Sequence, residues 1–138
     1  RYQEVTGVQT CALPIYVMSS LITELNPSLV ITFYPGYSVH PDHEATGAAV
    51  VRAVEKIAEA DRPKLQCVAF SRNCVEELGE PDIVHDISAV ADIKLDAIRA
   101  HRSQTELMLE EMADKLKEKD PKTLAWLNNE RFWTYKFS

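Results

Sequence analysis

Residues 29–47 contain a short apolar run followed by the predicted start of a helix. This strand-to-helix junction is the sequence feature that most constrains the fold. The run 29–33 is rich in β-branched residues and lies between two prolines, so it predicts a buried strand. Pro41, followed closely by Asp42 and Glu44, predicts that a helix begins there. In open α/β sheets, ligands bind beyond the carboxyl ends of strands. The sequence therefore predicts a ligand site at this junction.

Two histidines, His40 and His43, lie at the start of the predicted helix. Residues three apart share a helix face, so both imidazoles can converge on one point. The positive end of the helix dipole favours the neutral imidazole that binds a metal, and Asp42 can hold a neighbouring imidazole in one tautomer. From spacing alone, a polar loop whose histidines merely cap the helix is the commoner arrangement. A catalytic zinc needs three protein ligands, so these residues do not complete a site.

Several separated motifs resemble the LmbE-like (PIG-L) N-acetyl-sugar deacetylases. The string His40-Pro41-Asp42-His43 resembles the second signature of that family. Residues 26–36 precede it, and residues 91–94 and 100–104 follow it, in the order that the family shows. Together these motifs are similar to bacillithiol-biosynthesis deacetylases of the Bacillus type, from about Val17 to the C-terminus.

The resemblance implies an α/β, Rossmann-like domain with a mostly parallel sheet and one Zn²⁺ per intact domain. It implies that His43 is a zinc ligand, that His40 stabilises the tetrahedral intermediate and that Asp42 supports them. The implied reaction removes the N-acetyl group from an N-acetylglucosamine conjugate, N-acetylglucosaminyl-malate, in bacillithiol biosynthesis. An amidase of bacillithiol S-conjugates and a non-catalytic sugar-binding domain are the alternatives.

The sequence departs from the family at its beginning. The other metal ligands and the general base belong to a His-Pro-Asp-Asp signature, which this sequence does not contain. Residues 1–16 instead resemble a translated sequencing adapter and are expected to be artefactual. Residues 17–138 are then the C-terminal portion of a single deacetylase domain, truncated at its N-terminus. We expect such a chain to be inactive and to bind zinc weakly.

Three further residues are weaker candidates for the site. Arg72 follows a second predicted strand, 65–70, where it can reach a substrate carboxylate, although a solvated loop arginine is commoner. His101 falls on the apolar stripe of a helix predicted over residues 88–102, where a histidine is more often a hydrogen-bonded core residue than a ligand. The resemblance implies that His101 and Gln104 lie beside the site and order it.

Composition limits the partners. The formal net charge of −6 argues against nucleic-acid binding, and no apolar run is long enough to span a membrane. Cys67 and Cys74 are expected to be reduced thiols, which favours the cytoplasm. The partner that the family resemblance implies is a small-molecule sugar conjugate. The aromatic residues of 132–137 are expected to pack on the sheet, on missing chain or on another subunit, which leaves a homo-oligomer open.

Overall fold

The computed structural model describes residues 9–137, with side chains from Leu13 onward. Its helices and strands are α1 (Gln9–Leu25), β1 (Leu29–Phe33), α2 (Pro41–Glu55), β2 (Lys64–Val68), α3 (Cys74–Leu78), β3 (Ile83–Asp86), α4 (Ala91–Ala100), α5 (Arg102–Lys117), α6 (Pro121–Asn128) and β4 (Asn129–Thr134). The chain divides into two compact units. The first runs up to Ile83 and resumes at Phe132, and the second is Val84–Arg131.

The four strands form one sheet in the order β1-β2-β4-β3. β1 and β2 are parallel, with Val30 opposite Leu65 and Thr32 opposite Cys67, and α2 is the crossover that a parallel pair requires. β2 and β4 are antiparallel, with Cys67 opposite Trp133. The predicted α/β class is confirmed. The predicted mostly parallel sheet is not confirmed, because β4 is antiparallel to β2.

The core of the first unit forms where α1 and α2 pack on one face of β2. Its buried residues come from α1, α2 and β2, and they are Ile22, Val50, Val51, Ala53, Val54, Leu65 and Cys67. The buried positions of α2 recur at intervals of three and four, the helical period that the sequence shows. Each fully buried valine or leucine side chain contributes about 1.5–3 kcal/mol to folding. This packing fixes α2 against the sheet.

α1 buries only part of its apolar surface. Ile15 and Ile22 are buried, whereas Val17, Leu21 and Leu25 are 43%, 45% and 71% exposed. Two apolar stripes therefore run along α1. Among the described side chains of α1, Ile22 is part of the core and Met18 packs against it.

Gly47 brings α2 close to β1. A Cβ atom built on Gly47 overlaps the carbonyl oxygen of Phe33, so only glycine fits there. Glycine is a poor residue inside a helix, and this close packing accounts for its place in α2. As a result, the start of α2 is held at the carboxyl end of β1.

The second unit is helical, and α4 packs on both α5 and α6. Within this unit, the ammonium group of Lys94 makes three polar contacts. Nζ donates to the carbonyl oxygens of Trp126 (2.7 Å) and Asn129 (3.1 Å) and pairs with Glu130 (2.9 Å). Within residues 9–137, no helix has the length and apolar character needed to cross a membrane.

Candidate active site

His40 is the N-cap of α2. Its backbone is extended (φ −96°, ψ 136°), and its Nδ1 accepts the backbone N–H of Asp42 at 3.2 Å. Pro41 then occupies the first helical position, where its missing N–H costs nothing. The capping arrangement is therefore present. Because only Nδ1 is engaged and the side chain is 60% exposed, the opposite ring nitrogen remains accessible to a ligand.

His43 lies three residues along α2, and its ring faces the sheet. It stacks on Phe33 with ring centroids 4.1 Å apart and planes 9° from parallel. The His40 and His43 rings are 5.2 Å apart between centroids, so the two imidazoles lie together as their spacing predicts. Among the described residues, the buried Nδ1 of His43 has no hydrogen-bond partner. Buried polar atoms normally have one, so this nitrogen fits a ligand-binding role.

Asp42 orients His40 through its backbone rather than through its carboxylate. The carboxylate Oδ2 is 3.7 Å from Nδ1 of His40, and the Asp42 side chain is 89% exposed. At that distance the contact is an ion pair only when the imidazole is protonated. In the neutral ring, the Asp42 N–H sets the tautomer by occupying Nδ1.

Glu44 is a site residue that sequence reasoning missed. Its carboxylate accepts the backbone N–H of Gly36 at 2.5 Å and that of Ser38 at 2.7 Å. Ser38 is buried, and its hydroxyl donates to the carbonyl of Tyr34. Glu44 thereby holds the loop between β1 and α2, including the left-handed residue Val39 (φ +67°), which directly precedes His40. An acidic residue in the first helical turn was visible in the sequence, but its loop partners were not.

The loop after β2 adjoins this loop through Tyr37. The Tyr37 carbonyl accepts the N–H groups of Phe70 (2.7 Å) and Ser71 (3.0 Å). Arg72 lies next in that loop and is exposed. The Tyr37 hydroxyl donates to Glu77 at 2.9 Å, and this bond, followed by desolvation, raises the pKa of Tyr37. The carboxyl ends of β1 and β2 therefore present adjoining loops, as expected for a parallel pair.

The buried position predicted for His101 is wrong. His101 and Gln104 are exposed and belong to the second unit, where His101 (φ −92°, ψ 42°) separates α4 from α5. The Thr105 hydroxyl donates to the carbonyls of Ile98 and His101 at this break. The half-buried positions of α4 are instead Ala91, Lys94, Leu95 and Ile98. The sequence predicts that a stripe including Val90 and Ile93 is buried, but both side chains are exposed.

The described residues do not form a complete metal centre. Across residues 9–137, no three His, Cys, Asp or Glu side chains lie close enough together to hold a metal ion. The unpartnered Nδ1 makes His43 suitable as one ligand, and catalytic zinc sites take three from the protein. The fold and the geometry thus define an α/β protein with a pair of histidines at a strand-to-helix junction.

Comparison with known proteins identifies proteins to which the chain is similar. No protein-family model matches it. It is 54% identical over 120 residues to a Bacillus cereus protein and 50% identical over 122 residues to one from Bacillus subtilis. It is 43% identical over 121 residues to one from Bacillus anthracis. Each of these proteins is named "Probable N-acetyl-alpha-D-glucosaminyl L-malate deacetylase 2".

These matches cover 87–88% of the chain and 54–55% of each relative. The chain therefore spans about half the length of the curated relatives it matches. Over the residues it spans, the chain is similar to these proteins.

Proposed function

We propose that the chain supplies part of the active site of a zinc-dependent hydrolase that removes the N-acetyl group from an N-acetylglucosamine conjugate. The observation that carries this proposal is the pairing of His40 with His43, 5.2 Å apart between ring centroids, in a chain up to 54% identical to proteins named as deacetylases. Those names give N-acetyl-α-D-glucosaminyl L-malate as the substrate. We propose the same small-molecule class here, in bacillithiol biosynthesis.

The surroundings of the site are consistent with this proposal. A parallel strand pair joined by α2, with the histidines at the carboxyl end of β1, supports a Rossmann-like domain. The free thiols of Cys67 and Cys74 support a cytoplasmic location.

His43 is the residue of this chain that we assign to zinc. When bound, zinc lowers the pKa of a water molecule and polarises the amide carbonyl. The family resemblance assigns the other ligands and the general base to a His-Pro-Asp-Asp signature, which the sequence does not contain. We therefore expect the 138-residue chain by itself to bind zinc weakly and to leave the substrate uncleaved.

His40 is the residue that we assign to the developing negative charge. Its Nδ1 is occupied by the Asp42 N–H, so a neutral His40 carries its proton on Nε2. This N–H donates to the acetyl oxygen as that oxygen becomes negative during attack on the amide. A protonated His40 gives up the bond from the Asp42 N–H, and its Nδ1–H then faces the Asp42 carboxylate, 3.7 Å away. Asp42 thus supports His40 in either protonation state.

The test is a chimera in which this chain replaces the matched 120 residues of the Bacillus cereus relative. We expect the chimera to bind one zinc and to release acetate from N-acetylglucosaminyl-malate. His43→Ala should remove both properties. His40→Ala should lower turnover by about 10²–10³-fold and leave the zinc content nearly unchanged. His85→Ala, on β3, is the matched control and should change neither.

Other outcomes separate the alternatives. Loss of zinc in His40→Ala would mean that the roles of His40 and His43 are exchanged. Cleavage of bacillithiol S-conjugates without deacetylation would assign the site to an amidase. Sugar binding without either hydrolysis, in a chimera that folds, would assign it to a non-catalytic binding domain.

A further inference from the structure

The second unit contains a groove between the end of α5 and the start of α6. Its volume is about 380 Å³, which is within the range of sites that bind small molecules. The residues that line this α5–α6 groove are Met112, Lys115, Asp120, Lys122, Thr123 and Trp126. They combine two ammonium groups with an aromatic ring and a thioether, so the groove offers both charge and apolar surface.

The carboxylate of the α5–α6 groove already has its partners. Asp120 is the N-cap of α6, and its Oδ2 accepts both the backbone N–H and the hydroxyl of Thr123, at 2.8 Å each. Thr123 is buried, so this pair is part of the protein interior. The bonds from Thr123, and then the charges of Lys115 and Lys122, hold the pKa of Asp120 below its usual value. Asp120 therefore stabilises the start of α6 and offsets only one of the two positive charges.

Two lysine side chains give the α5–α6 groove its charge. Lys115 and Lys122 are exposed, and in the described part of the chain neither ammonium group forms an ion pair. Lys117, on the same helix as Lys115, does pair, with Asp114 at 3.1 Å. The two unpaired charges outweigh the single carboxylate, so the groove is positive although the chain has a net charge of −6. Such a local field attracts an anion.

Lysine favours phosphate over a planar carboxylate. An ammonium group acts as a point charge, whereas the planar guanidinium group of arginine matches a carboxylate through two parallel bonds. The described residues that line the groove include lysine and no arginine. Two point charges suit a compact anion with more than one negative charge, and a phosphate monoester carries about −1.5 to −2 at neutral pH.

The apolar part of the α5–α6 groove suits a flat ring. The Trp126 side chain is 40% exposed, and Nζ of Lys94 lies 4.5 Å from the centre of its ring. Met112 lines the groove as well, and thioether sulfur makes favourable contacts with aromatic rings. Aromatic rings stack on exposed indoles, and this contact accepts any flat heteroaromatic base. The ligand therefore needs a ring as well as a phosphate.

We propose that the α5–α6 groove binds a phosphate monoester that carries a flat heteroaromatic ring, as nucleoside monophosphates do. The ring packs on Trp126 and Met112, and the ammonium groups of Lys115 and Lys122 bind the phosphate. This site is separate from the proposed function, because His40 and His43 belong to the first unit.

Titration of the 138-residue chain with adenosine 5′-monophosphate tests the proposal by NMR. The chain has two tryptophans, and the buried Trp133 is an internal reference because its indole N–H donates to the carbonyl of Gly79. We expect the indole N–H signal of Trp126 to move and that of Trp133 to stay. Adenosine lacks the phosphate and ribose 5-phosphate lacks the ring, so each should bind at least about tenfold more weakly.

Matched lysine variants locate the phosphate. Lys115→Gln and Lys122→Gln should each weaken the binding of adenosine 5′-monophosphate at least about fivefold, because each removes a charge that faces the phosphate. Lys117→Gln removes the same charge from the same helix, but Lys117 does not line the groove, so it should change binding less than about twofold. Lys115→Arg keeps the charge and should retain most of the affinity. If a variant alters the far-ultraviolet spectrum, the three ligands on the unsubstituted chain decide.

Four outcomes overturn the proposal. The first is a Trp126 signal that stays in place up to about 10 mM adenosine 5′-monophosphate. Equal affinity for adenosine would show that the groove has no phosphate site, and equal affinity for ribose 5-phosphate would show that it attracts anions without reading the ring. An equal loss of affinity in Lys117→Gln would place the phosphate outside the groove. These outcomes leave zinc binding and deacetylation untouched, so the two proposals fail separately.

Discussion

The imidazole of His43 lies flat on the ring of Phe33, with centroids 4.1 Å apart and planes 9° from parallel. This contact joins the last residue of β1 to the first turn of α2. It fixes the plane of the His43 ring while leaving the buried Nδ1 without a hydrogen-bond partner among the described residues. The strand therefore orients the histidine that we assign to zinc.

Replacing Phe33 by leucine should release the His43 ring. We expect the upfield ring-current shifts of the His43 protons to disappear in NMR spectra, together with a loss of about 1–2 kcal/mol in the free energy of unfolding. Phe70→Leu is the matched control, because Phe70 lies 6.2 Å from His43 in a tilted arrangement and is 58% exposed. His43 shifts that follow Phe70 rather than Phe33 would contradict the stacked arrangement.

Glu44 should control the order of the loop that leads to His40. Glu44→Ala leaves the N–H groups of Gly36 and Ser38 without their acceptor, which should cost about 1–2 kcal/mol. Hydrogen exchange at those two amides should accelerate, and Glu44→Gln should retain part of the protection because its amide oxygen still accepts. Glu59→Ala, which removes a carboxylate elsewhere in the same unit, should leave both amides unchanged. Equal exchange rates in all variants would show that Glu44 does not order this loop.

Gly47→Ala should destabilise the protein although alanine is the better helix former. The helical preference for alanine is worth about 1 kcal/mol, but the new Cβ overlaps the Phe33 carbonyl, a backbone group that cannot turn away. We expect a net loss of about 1–3 kcal/mol in urea unfolding. Thr46→Ala, at the exposed neighbouring position, should stay within about 0.5 kcal/mol. A more stable Gly47→Ala protein would show that α2 and β1 are farther apart than described.

Cys67 should make stability fall at alkaline pH. Burial raises the pKa of its thiol from 9.0 to about 12. Between these values the thiol ionises in the unfolded chain but stays neutral in the folded protein, so rising pH favours unfolding. The contribution is fully present below pH 9 and declines above it, by up to about 1.4 kcal/mol per pH unit. Urea unfolding at pH 8 and pH 10 measures the decline.

Cys67→Ala is the control for this pH dependence. It should lower stability at pH 8, because it leaves a small cavity in the core, and it should also flatten the decline between pH 8 and pH 10. Tyr34 and Tyr135 also have pKa values raised chiefly by burial, but their ordinary value is 10.0, so they add to the decline mainly above that pH. An unchanged slope in Cys67→Ala would assign the alkaline loss to other groups.

Local sequence patterns predicted the strand-to-helix junction at residues 29–47. Hydrophobic periodicity and the backbone preferences of proline determine where such a strand ends and the helix begins. The apolar run forms β1, and the proline and acidic residues mark the start of α2. The loop contacts of Glu44 were not predictable, since they depend on a left-handed residue at Val39. The buried stripe of α4 was misassigned because two faces of that helix carry apolar residues, and only tertiary packing selects between them. The proximity of His40 and His43 was thus predictable from their spacing, whereas the contacts that hold the loop before them were not.

Lys94 provides the last prediction, in the second unit. Its side chain is only 14% exposed, and Nζ binds two carbonyls and the Glu130 carboxylate while lying 4.5 Å from the centre of the Trp126 ring. Lys94→Met keeps the apolar stem but leaves these acceptors without their donor, which should cost about 2–3 kcal/mol. Lys117→Met is the matched control, because Lys117 pairs only at the surface with Asp114 and should cost less than about 0.5 kcal/mol. Urea unfolding measures both variants, and equal losses would show that the burial of Lys94 has no energetic consequence.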